Sequence, residues 1–109
     1  MTVFLVETYV IKPEKQAEFV AYKEKWKKFF AFEKHPQLFK EVKSHKMFAQ
    51  VLGGNFNGYV EMWEFENIAD CEKFFNKVMQ SDYTTKLYPE FASLEVPATR
   101  SMNIWNSVT

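Results

Sequence analysis

The order of apolar and polar positions along the chain predicts alternating strands and helices. Residues 2–11 (TVFLVETYVI) are mostly β-branched or aromatic and contain no Gly or Pro, which is typical of a strand buried on at least one face. Pro13 suits the first turn of a helix, and that helix is expected to end near His35 and Pro36. Its aromatic residues recur at helical spacing and form a single stripe. The stripe consists of Phe19, Tyr22, Trp26, Phe29 and Phe30.

The second half of the chain repeats this pattern. Residues 39–52 and 59–66 alternate on either side of Gly53-Gly54-Asn55, which predicts a hairpin. Asn67 is suited to cap a second helix. Residues 82–94 are expected to form a short helical or irregular connection before a last strand over residues 99–108. The second helix has an apolar stripe with the spacing of the first, at Ile68, Cys71, Phe75, Val78 and Met79.

This order of elements predicts the fold class. Strand, helix, strand, strand, helix, short helix and strand, joined by right-handed crossovers, give a ferredoxin-like βαββαβ domain of the α+β class. We expect a four-stranded antiparallel sheet with two helices on one face. The 109 residues are the length of one domain, which is taken to span 1–109.

Both alternations of the first strand are apolar, which predicts self-association. One set contains Phe4, Val6 and Val10, and the other contains Val3, Leu5, Tyr9 and Ile11. The helices of so small a domain cover only one face of the sheet, so whichever set faces away from them needs another partner. We therefore expect a homodimer or a higher homo-oligomer.

Charge and composition exclude several classes of partner. Lys and Arg together number 14, as do Asp and Glu, so the basic surplus expected of a nucleic-acid-binding protein is missing. No apolar run reaches the roughly 18 residues of a membrane span, and no basic leader precedes the first strand. Cys71 is the only cysteine, which rules out an internal disulfide and favours a reducing compartment. The expectation is a cytoplasmic protein without nucleic-acid or membrane partners.

Two strand carboxylates are the candidate reactive groups. Glu7 and Glu61 each lie among apolar neighbours, where desolvation would raise a carboxyl pKa toward a value useful for proton transfer. Tyr9 and Trp63 are candidate walls of a cleft around them, and Trp26 could line a cavity between helices and sheet. The competing interpretation is that each Glu is exposed at an edge or paired with a Lys or with Arg100.

The remaining chemistry-bearing residues indicate no metal or cofactor. His35 and His45 have no carboxylate or second His at a metal-ligand spacing, so no metal site is predicted. His45 could enter the cleft as an acid or base, but an exposed position on an edge strand is the expected one. Cys71 falls on the helical stripe and is expected to be an inert core thiol.

Two segments carry a resemblance to known proteins. VEMWEFEN (60–67) and YPEFASLEVPATRSMNIW (88–105) resemble the dimeric α+β barrel superfamily, and within it the NIPSNAP-like and antibiotic-monooxygenase-like groups. Haem-degrading members of that superfamily use an Asn on the first strand and a Trp on the third. The resemblance implies that the corresponding positions in this chain are Glu7 and Trp63. No His occurs between Ile68 and Leu94 to ligate haem, so no cofactor is expected.

Two functions follow as expectations. The first is a protein that binds a small apolar or aromatic molecule, with cofactor-independent monooxygenase or isomerase chemistry at Glu7 and ligand contacts from Tyr9, Trp26, Glu61 and Trp63. The alternative is a non-enzymatic NIPSNAP-like module for assembly or ligand sensing. A well-formed cavity holding Glu7 would favour the first, and a cleft filled by Phe and Trp side chains would favour the second.

Overall fold

A computed structural model describes residues 2–31 and 34–108 and contains the predicted order of elements. A 3-10 turn (Pro13–Lys15) precedes the first helix, and a π-helical turn (Tyr83–Leu87) leads into the third. The strands are β1 (Val3–Val10), β2 (Ser44–Ala49), β3 (Gly58–Phe65) and β4 (Ser101–Asn106). The helices are α1 (Gln16–Phe29), α2 (Ile68–Met79) and α3 (Tyr88–Leu94).

The four strands form one antiparallel sheet in the order β2-β3-β1-β4. This is the order of the predicted ferredoxin-like fold, with β1 and β3 as the central pair. Their register places Glu7 opposite Glu61 and Leu5 opposite Trp63. Side chains directly opposite each other on one face are about 5 Å apart at Cβ, so the central pair brings the two carboxylates together.

The core fills the space between one face of the sheet and the helices. The side chains of Val3, Leu5, Glu7 and Tyr9 on β1 are buried on this inner face. Towards α2, the core consists of Val3, Leu5, Phe30, Phe39, Trp63, Phe65, Cys71 and Phe74. Towards α1 and α3, it consists of Tyr9, Ile11, Phe19, Tyr22, Leu87, Phe91 and Leu94.

The first helix is shorter than predicted. It ends at Phe29 rather than near His35 and Pro36, because the backbone of Phe30 leaves the helical region with φ −92° and ψ 25°. The ring of Phe30 is buried and meets that of Phe39 edge to face, at 5.3 Å between centroids. The end of the helix is thus set by packing ahead of the proline. Residues 32 and 33 lie outside the described part of the chain.

The predicted apolar stripe of α2 was right at Cys71 and Val78, which lie in or against the core, and wrong at its other three positions. Phe74 is buried with Cys71, whereas the predicted Phe75, Ile68 and Met79 are 40%, 48% and 53% exposed. Phe74 meets both Trp63 and Phe65, with centroids 5.0 and 5.6 Å away. The helix is therefore rotated to place Phe74 against the aromatic side chains of β3. The predicted cap of this helix is confirmed, because the Asn67 side chain accepts the Asp70 N–H at 2.8 Å.

Three strands are shorter than predicted, with β1 covering Val3–Val10 rather than 2–11 and larger differences in β2 and β4. β2 begins at Ser44 rather than Phe39, because the preceding residues form hydrogen-bonded turns that bury Phe39. β4 covers residues 101–106 rather than 99–108. In the β2–β3 connection, Gly53 and Gly54 adopt positive φ angles of 77° and 44°, which side-chain-bearing residues rarely adopt.

The outer face of the sheet carries apolar side chains on every strand, interspersed with polar ones such as Lys46 and Glu64, and the described helices pack against the other face. Trp105 on β4 lies opposite Phe4 on β1 and is 61% exposed, and Phe48 on β2 lies opposite Val60 on β3 and is 48% exposed. We call this surface the open face. Its apolar side chains are Phe4, Val6, Val10, Phe48, Val60, Met62 and Trp105.

Among residues 2–31 and 34–108, no helix combines the length and the apolar character needed to cross a membrane.

Replacing Phe65 by Ala tests the packing of the core. Phe65 is 0% exposed, so Phe65→Ala should lower the free energy of unfolding by about 3–5 kcal/mol in urea denaturation. Phe56→Ala is the matched control, because Phe56 in the hairpin connection is 81% exposed, and it should change stability by less than about 0.5 kcal/mol. Equal losses in the two variants would contradict the described core.

Candidate functional site

A cavity of about 370 Å³ lies between the inner face of the sheet and the helices. Its lining is mainly apolar and aromatic, and α1, α2, the π-helical turn and α3 all contribute to it. The sheet contributes the central carboxylates, and Arg100 enters from the segment that precedes β4. The space around Glu7, Glu61 and Arg100 is therefore partly open, although the chain is rich in aromatic residues.

Glu7 is buried in this cavity and is paired with Arg100. Arg100 Nη2 donates to Glu7 Oε2 at 2.7 Å. Desolvation by burial, and then the charge of Glu61, raise the pKa of Glu7 to about 7 in spite of the opposing effect of Arg100. Glu7 can therefore both take up and release a proton near neutral pH.

The segment before β4 places Arg100 over Glu7. Val96 N–H donates to the Val10 carbonyl at 2.7 Å, and Val10 N–H donates to Thr99 Oγ1 at 3.1 Å. Ala98 between them adopts φ 64°, a left-handed conformation that costs a non-glycine residue about 1 kcal/mol. The two hydrogen bonds hold this segment against the end of β1.

Two aromatic rings cover the Arg100 guanidinium. Its central carbon lies 5.5 Å from the ring centroid of Tyr88 and 5.1 Å from that of Phe91. Such cation–π contacts stabilise a partly desolvated guanidinium. These contacts hold the Arg100 guanidinium, which is bound to Glu7, against α3.

Glu61 is held by two other side chains. Tyr9 donates its hydroxyl to Glu61 Oε2 at 2.7 Å, and His45 Nε2 lies 2.9 Å from Glu61 Oε1. The His45 ring packs against Trp63 and Trp26, with centroids 4.0 and 5.1 Å away. Both oxygens of Glu61 are thus occupied within the protein.

Several polar groups around the cavity have no hydrogen bond within the described residues. Trp63 Nε1 and Arg100 Nη1 are buried donors without a partner.

Burial raises the pKa of Tyr83 to about 12 and also raises the pKa of Tyr22. Both hydroxyls therefore stay protonated near neutral pH.

The structure brings all five predicted site residues to this cavity. Each of Glu7, Tyr9, Trp26, Glu61 and Trp63 lines it. The competing interpretation also describes part of the arrangement, because Glu7 is both inside the cavity and paired with Arg100. The catalytic role of Glu7 and the ligand contacts of the other four stay predictions.

The expectation that His45 is exposed on an edge strand was wrong. Its side chain is only 15% exposed, because the register of β2 places it opposite the inward-facing Trp63. The sequence contained no signal for the contact with Glu61, since His45 and Glu61 are 16 residues apart and meet only through the hairpin register.

Arg100, Tyr22 and Tyr83 were not predicted as part of the site. Arg100 appeared only as a possible ion-pair partner, and Tyr22 only as part of the helical stripe. The isolated basic residue between Pro97 and the last strand was the one available signal for Arg100.

The described residues contain no arrangement suited to a metal ion. Over 2–31 and 34–108, no three His, Cys, Asp or Glu side chains come together as potential ligands. Cys71 is a buried free thiol whose pKa is raised by burial, the state of a core cysteine.

Comparison with known proteins identifies the fold. No protein-family model and no curated protein matches the sequence. A NIPSNAP family protein from Agrobacterium tumefaciens superimposes with a TM-score of 0.72 at 12% identity, over 99% of this chain and 94% of that one. An antibiotic biosynthesis monooxygenase gives a TM-score of 0.66 at 15% identity, over 98% and 99% of the two chains.

A third similar structure is SnoaB from Streptomyces nogalater, described as a cofactor-independent oxygenase and solved as a mutant. It gives a TM-score of 0.65 at 14% identity, over 99% of this chain and 94% of that one. Identities this low carry information about fold alone. They confirm the predicted ferredoxin-like α+β fold.

The titration of Glu7 is directly measurable. Because its pKa is about 7 in the folded protein and ordinarily 4.5, the folded state binds the extra proton between these values. The free energy of unfolding should then fall as pH rises from about 4.5 to 7, by up to about 1.4 kcal/mol per pH unit. Glu7→Gln should remove this contribution, and urea denaturation across this pH range would measure the difference.

Glu72→Gln is the matched control, because Glu72 is exposed on α2. It should leave the pH dependence of stability unchanged. Carboxyl carbon NMR provides the second measurement, with a Glu7 midpoint expected near pH 7. A midpoint near 4.5, with equal slopes in wild type and Glu7→Gln, would contradict the proposed environment of this carboxyl group.

Proposed function

We propose that this protein binds a small apolar or aromatic molecule in its cavity and that Glu7 acts on it as a general base. The observation that carries the proposal is a carboxyl group with a pKa of about 7, buried in an aromatic cavity of about 370 Å³. General bases are most effective when their pKa lies near the working pH. A carboxyl group that served only as a structural ion-pair partner would need no open volume beside it.

The lining of the cavity indicates the chemistry of the ligand. Its volume is near the lower end of the roughly 300–1,000 Å³ of small-molecule sites. Trp63 Nε1 and Arg100 Nη1 are unpaired donors, and an unpaired buried donor costs about 1–3 kcal/mol. An acceptor oxygen on the ligand could satisfy one of these donors after a small shift of the side chain. We therefore infer a planar apolar molecule with a carbonyl, phenol or enol oxygen.

The reaction would begin with removal of a proton by Glu7. The proton would leave a phenol O–H or a C–H next to a carbonyl group and pass to the Glu7 carboxylate. Return of that proton to a different carbon would make the protein an isomerase. Addition of dioxygen to the resulting carbanion would form a C–O bond and, after protonation, a hydroperoxide. Cleavage of its O–O bond with loss of water would leave one oxygen atom on the ligand as a carbonyl, which would make the protein a cofactor-independent monooxygenase. The description of the similarly folded SnoaB as a cofactor-independent oxygenase supports this branch.

The open face supports self-association, the main feature of the alternative function. Its apolar side chains lie on all four strands, and Trp105 and Phe48 are largely exposed. Exposed apolar side chains clustered on one face of a sheet favour burial against another protein surface. We propose that two copies pair through this face. A non-enzymatic assembly or ligand-sensing module would need this pairing, and so would an enzyme of this size with an otherwise exposed sheet.

Light scattering at micromolar concentration tests the pairing. The expected mass is twice 13.0 kDa. Val6→Asp places a charge at the centre of the open face and should shift the mass toward 13.0 kDa, because an unpaired charge in an interface is costly. Val20→Asp is the matched control, since Val20 is 56% exposed on α1 and lies away from the open face. A wild-type monomer would overturn the proposed pairing.

Two pairs of variants test binding in the cavity, with 2-naphthol and related planar aromatic oxygen compounds as probes. Met102→Trp should fill part of the cavity and weaken binding at least 10-fold, or about 1.4 kcal/mol. Its control is Ile104→Trp, because Ile104 lies on the same face of β4 but does not line the cavity. Glu7→Gln should weaken binding by a similar factor, and its control is Glu72→Gln.

Isothermal titration measures the four affinities. If no probe binds, or if cavity variants and controls bind equally well, the proposed site is wrong and the assembly module becomes the better interpretation. Loss of binding in the cavity variants alone would support the proposal.

A further inference from the structure

Lys23 occupies an inward position on the aromatic stripe of α1. It follows Phe19 by four residues and precedes Trp26 by three, and these spacings place the three side chains on one face of a helix. In the structure Lys23 is only partly exposed, and it lines the cavity together with both aromatic residues. A basic side chain therefore lies among aromatic ones at the wall of the cavity.

The ammonium group of Lys23 has no carboxylate partner in the described part of the chain. Its Nζ lies over the ring of Phe19, 5.3 Å from the centroid. A neighbouring lysine of the same helix is paired, since Lys25 binds Glu90 on α3 at 2.9 Å. The contact with Phe19 holds the ammonium group in place but supplies no opposite charge.

Lys23 differs in this from the other charged residues of the cavity. Among the described residues that line it, four are Lys, Arg or Glu, namely Lys23, Arg100, Glu7 and Glu61. Arg100 donates to Glu7, and Glu61 accepts the hydroxyl of Tyr9. Lys23 is thus the member of this group whose charge no described side chain balances. An unbalanced cation beside an apolar cavity favours a ligand that carries a negative charge.

The cavity reaches the surface at the helices. Phe75 and Met79 on α2 and Tyr88 on α3 line it, and these residues are 40%, 53% and 39% exposed. Lys23 is partly exposed as well, whereas Glu7 on the sheet is buried. A ligand that reaches Glu7 therefore has a second end near solvent, where a charged group keeps part of its hydration and costs less to bind.

We propose that Lys23 binds a carboxylate of the ligand, and that the ligands of this cavity are aromatic carboxylic acids. One ammonium group balances the single charge of a carboxylate but only part of the charge of a phosphate, which is close to two at neutral pH. The aromatic body fills the cavity, the carboxylate lies at Lys23, and the end that loses a proton faces Glu7.

The charges also set the orientation of the ligand. In the reverse orientation its carboxylate would lie beside Glu7, which has to be ionised to accept a proton, and the two negative charges would repel each other. The inference rests on the proposed function for the presence of a ligand in the cavity, and it adds the class of that ligand.

Two probes that differ by one carboxylate test the inference in isothermal titration. They are 2-naphthol and 6-hydroxy-2-naphthoate, whose acid group lies at the end of the molecule opposite the hydroxyl. The protein should bind the naphthoate at least about 10-fold more tightly, because only this probe forms an ion pair with Lys23. Methyl 6-hydroxy-2-naphthoate has the same rings without the charge and should lose most of this preference.

Lys23→Met separates the charge from the packing of the side chain. It keeps a flexible stem over Phe19, so the affinity for 2-naphthol should stay within about 2-fold while the preference for the naphthoate falls at least about 5-fold. Lys23→Arg keeps the charge and should keep most of the preference. Lys28→Met is the matched control, because Lys28 is exposed on α1 and does not line the cavity. It should change neither affinity.

The outcomes distinguish this inference from the proposed function. If 2-naphthol binds and the naphthoate has no advantage, or if the advantage survives in Lys23→Met, the inference is overturned and the proposed function stands. If none of the probes binds, both are overturned. Lys23→Gln provides the same comparison if Lys23→Met does not fold. Loss of the preference in these variants, together with its retention in Lys23→Arg and Lys28→Met, would support the inference.

Discussion

The pairing of β1 with β3 sets the position of the groups on which this structure depends. Its register places Glu7 against Glu61 on the inner face of a sheet, at a depth where fewer than a tenth of either residue is exposed. Two carboxylates so close in an apolar interior cannot both be charged without a large cost in free energy. The surrounding side chains reduce that cost in two different ways, with Arg100 next to Glu7 and with Tyr9 and His45 next to Glu61.

This arrangement explains why an aromatic core of this size contains a cavity. The hydrophobic side chains of α1 and α2 pack closely at the two ends of the sheet, in one group around Phe65 and in another around Phe19. Between these groups the sheet presents the carboxyl groups of Glu7 and Glu61, which gain more from polar partners than from close packing of apolar rings. The open volume therefore lies over Glu7, where a ligand could reach it.

The alternation of strand residues gives the two faces of the sheet different tasks. The inner face holds the core and the cavity, and the open face presents apolar side chains such as Phe48 and Trp105 to the surroundings. Because successive side chains of a strand point to opposite faces of the sheet, a substitution on one face leaves the side chains of the other face unchanged. Pairing through the open face and chemistry in the cavity can therefore be altered separately, as the variants at Val6 and Glu7 exploit.

The sequence by itself determined the order of elements, the antiparallel sheet and the location of Glu7 and Glu61 on neighbouring strands, because hydrophobic periodicity and crossover handedness act locally. It did not determine the end of α1 or the rotation of α2, which depend on where Phe30 and Phe74 find aromatic partners across the core. It also could not place His45 or Arg100 at the carboxylates. The contact of His45 with Glu61 spans 16 residues of sequence and arises from the register of β2 on β3. The contact of Arg100 with Glu7 spans 93 residues and arises from the hydrogen-bonded segment before β4. Strand register and the path of that segment are fixed only by the tertiary structure.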